Sequence, residues 1–283
     1  MLQGKKTMPN INVLAFKLLT TFTLIFLTFN QAYSRELVIF SSDAPPHMIA
    51  ANNSGIDIDI VKTILMEMGH NISIEFSPLK RAMEQVKKKE ADVFLPTFFQ
   101  EDSDNIFISN TFIQYRPMIF SLKKSRLTIN SFTDLKGLRI VSFQGATGYF
   151  GEAFHQATKQ ANYTELHDMS KFPSMLLMER YDAIVLDYYI FYYFLKMHQE
   201  QSELAGNSLF PLVDNYSSLI KRHDLIPEVN AYVGFHDKTL RDNFNVKLKA
   251  FIEANRQNKI IEKYIGTISS RIFALNAQHR SAT

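Results

Sequence analysis

The segment Pro96–Asn105, PTFFQEDSDN, carries three carboxylates, Glu101, Asp102 and Asp104, and no base. Acids this close together attract a cation and repel an anion. Thr97 and the rings of Phe98 and Phe99 precede them, and an aromatic face can receive a cation or an apolar group. Other residues with binding chemistry lie apart in the chain. Asp43, His47 and Met48 sit in SSDAPPHMIA, just after an apolar run. Asp187 ends the run AIVLD, and Tyr188 follows it. Arg81 in SPLKRAM and Arg116 in QYRPM could grip an acid with a two-pronged donor. In QGATG, the sequence from Gln144 and Gly145 through Thr147 offers backbone N–H groups, a helix start and a hydroxyl to an anion. It is no Walker loop, because no Gly-Lys-Ser/Thr follows. Each has a plainer structural role as well: a tight turn for the glycines, a helix N-cap for Asp187, ion pairs for the arginines, core packing for Thr97 and a phenylalanine.

These residues make a poor catalytic set. There is no GxSxG, no Ser–His–Asp spacing, and no pair of the eight histidines at metal-ligand spacing. The chain has no cysteine, which removes disulfides, thiolate metal sites, cysteine nucleophiles and a lipid-bearing cysteine. Neither a cofactor nor a metal is expected.

The N-terminus reads as a secretory signal over residues 1–34. Lys5, Lys6 and Lys17 precede the uncharged run Leu18–Phe29, and Ala32 and Ser34 follow at the spacing of a cleavage site. Twelve helical residues span about 18 Å, short of a bilayer core of about 30 Å. The signal's three lysines account for the whole formal charge of +3, so the rest is neutral. A neutral chain gives no global attraction to nucleic acid or an anionic membrane. A monomeric, periplasmic protein is expected.

The elements that must position these residues alternate. Glu36–Ser41 is an apolar run of strand length. Ile60, Val61, Ile64, Leu65 and Met68 repeat at helical spacing, with Asp57 and Asp59 at the helix start and Gly69 at its end. Asn71–Phe76 alternates like a strand, Leu79, Ala82, Met83 and Val86 mark a helix, and Ala91–Pro96 is a strand. Such alternation predicts a parallel sheet covered by helices. The unit recurs: VKKKEADVFLP and LLMERYDAIVLD are each a helix, a charged turn, an Asp and an apolar strand. Between the two copies, Arg116–Ser125 looks like an extended crossing, and Ala231–His236 looks like a second one. Tyr188–Lys196 looks like a core-packed helix, residues 237–266 are strongly helical, and the tail after Ile272 is polar.

Five segments, GIDIDIVKTILMEMGH, RAMEQVKKKEADVFLP, DLKGLRIVSFQGATG, DAIVLDYYIFYYFLK and IIEKYIG, stand in an order and spacing that resemble the periplasmic solute-binding proteins of family 3, the polar amino-acid type. The resemblance runs from about Glu36 to Gly266. It implies an α/β, two-lobed periplasmic-binding fold of type II: lobe one from 35–121 plus 233–283, lobe two from 122–232, joined by two hinge strands and closing on a ligand. It also implies capture of a small polar solute, an amino acid or an amine-bearing relative, for an ABC permease in the inner membrane. In amino-acid binders of that family an Arg after the third strand grips the α-carboxylate. Here the equivalent positions hold Gln100, Asp102 or Asp104, depending on where the count starts. An acid at the place of Asp187 accepts from the ligand's ammonium in the family, so an amine-bearing ligand fits this chain better than an anion. A sensory or orphan binding domain for a membrane partner, and a dehydratase-like enzyme using Asp43, Asp187 or His47, are the alternatives.

Overall fold

A computed structural model describes residues 36–103, 105–204 and 216–266. The signal segment, Asp104 and the tail after Ile272 lie outside the described residues.

The first half of the alternation folds as its periodicity requires. Strand β1 (Glu36–Ser41) leads through a loop to helix α1 (Ile56–Glu67). Ile56, Ile58, Ile60, Val61, Ile64 and Leu65 are all fully buried on α1. Each such side chain contributes about 1.5–3 kcal/mol by burial, before the cost of ordering it. Gly69, at φ 90°, ends the helix in a conformation that few other residues adopt. Strand β2 (Asn71–Phe76), helix α2 (Leu79–Lys87) and strand β3 (Val93–Thr97) follow, then the short strands β4 (Phe107–Ile108) and β5 (Ile113–Tyr115).

The second half repeats the plan. Strand β6 (Pro117–Leu122) is followed by β7 (Arg139–Phe143), the short helices α3 (Ala146–Tyr149) and α4 (Glu152–Thr158), β8 (Asn162–Leu166), α5 (Phe172–Leu177) and β9 (Ala183–Asp187). Helix α6 (Tyr188–Leu204), β10 (Ile220–His223), β11 (Val229–Phe235), α7 (Lys238–Glu253) and α8 (Arg256–Ile265) complete the described chain.

Two sheets result. The first has the order β2-β1-β3-β11-β4, with β5 paired to β11; β1 and β3 are parallel, and β11 runs antiparallel to its neighbours. The second has the order β10-β6-β9-β7-β8. Strands β7, β8 and β9 are parallel there, and β6 and β10 are antiparallel. Strand β9 is buried along its whole length, as suits a central strand covered on both faces. The chain passes from the first sheet to the second between Tyr115 and Pro117 and returns between His223 and Val229. Arg116 and Glu228 stand at these two passages and pair at 2.5 Å, so one ion pair ties both crossings. The largest apolar cluster draws on both sheets, from Leu37 and Val93 to Ile184 and Tyr189. Helix α6 reaches α8, where the Lys196 ammonium donates to the carbonyl of Lys263 at 3.0 Å.

Candidate functional site

Four polar side chains meet beside the first crossing. The His47 ring closes on Asp57, with Nδ1 to Oδ1 at 2.8 Å, and its Nε2 faces Oδ1 of Asp187 at 3.4 Å. The hydroxyl of Tyr115 donates to the other oxygen of Asp57 at 2.6 Å, and the Tyr115 ring lies 4.1 Å from the imidazole. His47 and Asp57 are buried. Burial alone drives such an imidazole toward neutrality. Asp57 first, then Asp187, overcome it and raise His47 from 6.5 to about 10, so it is a cation at neutral pH. Burial, reinforced by Asp57, pushes the Tyr115 hydroxyl well above its ordinary value.

The backbone explains why these groups meet. The loop after β1 folds back so that the amide of Asp57 donates to the His47 carbonyl at 3.0 Å. A side chain at Gly55, at φ +134°, would put its Cβ 2.2 Å from that carbonyl oxygen, so the approach requires glycine. The amide of Gly55 donates to the Tyr264 hydroxyl at 2.8 Å, which anchors the turn to α8. Asp187 ends β9 and caps α6, accepting from the amides of Tyr189 at 2.8 Å and Ile190 at 3.3 Å. Its second oxygen accepts from the amide of Arg116 at 2.7 Å.

A cavity of about 250 Å³ opens over this cluster, lined from both sheets. His47, Met48, Leu79, Pro96 and Phe98 line it from the first, with Tyr115 at the crossing. Phe143, Tyr149, Phe150, Met169, Asp187 and Ile190 line it from the second. Phe98 meets the Tyr115 ring edge-on at 5.7 Å, and Tyr149 packs edge-on against Phe143 at 5.7 Å. Burial, with the negative charge of Asp187, raises the Tyr149 hydroxyl to about 12.

Of the residues expected from sequence, the structure brings His47, Phe98 and Asp187 to this cavity. Asp43 is exposed and closes its own loop, accepting from the amide of Ala50 at 2.9 Å. Arg81 is exposed on α2, two residues beyond Leu79, and is not among the lining residues. Thr97 is buried on β3, where its hydroxyl accepts from the amide of Phe99 at 3.3 Å. Tyr188 is buried in the core, 4.7 Å from the Tyr192 ring. Arg116 serves the crossing, as described. Asp102 accepts from the Arg241 guanidinium at 3.1 Å, so one acid of the opening segment is neutralised within the chain.

The glycine loop holds an anion that belongs to the protein. Glu165, on β8, accepts from the amides of Gly145 at 2.8 Å and Thr147 at 3.1 Å, from the Thr147 hydroxyl at 3.2 Å and from the Tyr163 hydroxyl at 3.0 Å. Burial works against this carboxylate, but the Gly145 and Thr147 amides outweigh it and lower its pKa. Gln144 is exposed beside it. Sequence reasoning missed Glu165, and it took Asp57 only for a helix-start charge. Partners ten or more positions away leave no local pattern, and NYTEL looks like any strand with an outward acid. The aromatic residues Phe143, Tyr149 and Phe150 bracket the QGATG loop, and that bracketing was the one available signal.

Two α/β lobes with a lined cleft between their sheets define a periplasmic-binding fold of type II. The profile of the bacterial extracellular solute-binding proteins, family 3, matches residues 37–267, and the chain belongs to that family. Solved structures agree on the fold. An ancestral cationic amino acid solute-binding protein superposes with a TM-score of 0.63 at 16% identity, covering 81% of this chain and 95% of that one. A polar amino acid ABC uptake transporter substrate-binding protein from Streptococcus thermophilus gives 0.62 at 15% identity, covering 83% and 89%. The L-cystine solute receptor of Neisseria gonorrhoeae, unliganded and open, gives 0.61 at 14%, covering 84% and 95%. A search of curated proteins by sequence finds no match.

Proposed function

We propose that this protein is a periplasmic receptor that captures one small amine-bearing solute between its lobes and presents it to an ABC permease, without turnover. The lobes, read from sequence as 35–121 with 233–283 and 122–232, part at the crossings near Arg116 and between His223 and Val229, and the signal over 1–34 directs export. The observation that carries the reading is the cavity lined from both sheets, which two crossings of the chain connect, so that hinge bending closes it on a ligand. The similar structures, one named for amino acid solute binding and one for polar amino acid ABC uptake, support the transport class. An amine is favoured over an amino acid by the charges of the site: among the described residues no Arg or Lys lines the cavity, His47 there is held between two carboxylates, and the glycine loop is filled by Glu165.

A thermal-shift screen of the purified protein against amino acids, polyamines, opines, simple amines and small carboxylates tests this. A true ligand at a hundredfold excess over Kd stabilises by about 2.7 kcal/mol. No stabilisation by any solute, or stoichiometric conversion of a bound solute to product, overturns the reading.

A further inference from the structure

We propose that the cleft selects an organic cation with an apolar body and no carboxylate, held chiefly by aromatic faces; this deepens the receptor reading and rests on it. Phe98 and Tyr115 from one side and Phe143, Tyr149 and Phe150 from the other give five rings around one small cavity. Phe98 and Tyr149 are 42% and 47% exposed, large for aromatic residues in a folded protein, and both face this space. Aromatic faces that surround a cation attract it through their quadrupoles, most strongly where water is excluded.

The charges point the same way. One imidazolium, His47, stands against two carboxylates, Asp57 and Asp187, so the cluster beneath the rings is net negative. Asp187 is already satisfied by three backbone amides, and Asp57 by His47 and Tyr115. Neither needs a ligand hydrogen bond, so the cluster supplies field rather than a directed contact. Such a site suits a bulky or methylated ammonium, which has few N–H donors to satisfy. A carboxylate on the same ligand would meet no Arg or Lys among the described lining residues; the imidazolium of His47 is already paired with Asp57 and Asp187, and the amides of Gly145 and Thr147 are taken by Glu165.

Two matched pairs of probes, measured by titration calorimetry on the purified protein, separate the terms. Choline and 3,3-dimethyl-1-butanol share a shape and differ in charge; 2-phenylethylamine and L-phenylalanine differ by the carboxylate. The cation is expected to bind at least tenfold more tightly in the first pair and the amine at least tenfold more tightly in the second. Phe98→Ala and Tyr149→Ala each weaken the cations at least tenfold, while Phe99→Ala, whose ring lines a different surface recess, does not. Equal binding of choline and its neutral isostere, tighter binding of L-phenylalanine than of its amine, or no binding of any of the four at millimolar concentration overturns the inference. In each case the receptor reading stands if another solute in the thermal-shift screen stabilises the protein, and falls if none does.

Discussion

Replacing Asp57 by Asn is the sharpest probe of the buried cluster. The side chain keeps its size and an oxygen for Tyr115, but His47 loses the nearest of its two countercharges, at 2.8 Å, and keeps only Asp187, at 3.4 Å. Removing one partner of a buried ion pair costs about 3–5 kcal/mol, because the remaining charge is stranded. For a chain of this size that lowers Tm by about 6–20 °C. His47 escapes part of the cost by giving up its proton. The folded pKa of His47 in the wild type, about 10, lies above its ordinary 6.5. Its stabilising contribution is therefore complete below 6.5 and falls away as pH rises through about 10, with a ceiling on the order of 5 kcal/mol at about 1.36 kcal/mol per unit. The groups facing the ring are Asp57, Asp187, Tyr115 and Tyr189. In Asp57→Asn the imidazole is expected to titrate well below its wild-type value and the alkaline fall in stability to shrink. Thermal melts from pH 6 to pH 10, with the His47 ring resonance followed by NMR, read both quantities. A loss under about 1 kcal/mol, with the ring still charged at pH 9, refutes the reasoning.

Two further outcomes follow from backbone and loop. Gly55→Ala places a methyl 2.2 Å from the His47 carbonyl oxygen at φ +134°; it should cost about 2–4 kcal/mol, lower Tm, and displace His47 enough to weaken any cleft ligand. Glu165→Ala frees the amides of Gly145 and Thr147; the protein should then gain measurable affinity for acetate or another small carboxylate in calorimetry, and no gain would mean that the loop collapses instead.

Much of the fold is legible along the chain because it rests on local period. Ile60, Val61, Ile64 and Leu65 repeat on a helix, AIVL is apolar up to Asp187 because β9 is covered on both faces, and both lie where the pattern places them. The resemblance to family 3 likewise survives, since five such segments in order are set by the same periods. The site is harder to read because its chemistry is long-range. His47 meets Asp187 across 140 positions and Tyr115 meets Asp57 across 58. Phe98 and Phe99 are indistinguishable in sequence, yet of the two Phe98 alone lines the cavity, while both border a neighbouring surface recess. The arginine missing from QEDSDN was visible. The internal acid that fills the glycine loop was not, since it comes from a strand 18 to 20 positions beyond the amides that it takes.

The His47 cluster is divided so that a hinge could part it without orphaning a charge. If the two halves swing apart, the imidazolium leaves with Asp57 and Tyr115, while Asp187 stays with the amides that begin α6 and with that of Arg116. Only the longest of these links, at 3.4 Å, runs across the seam. Each half thus departs already neutralised or solvated by its own backbone, and parting them breaks the long His47–Asp187 contact while the short His47–Asp57 pair stays whole.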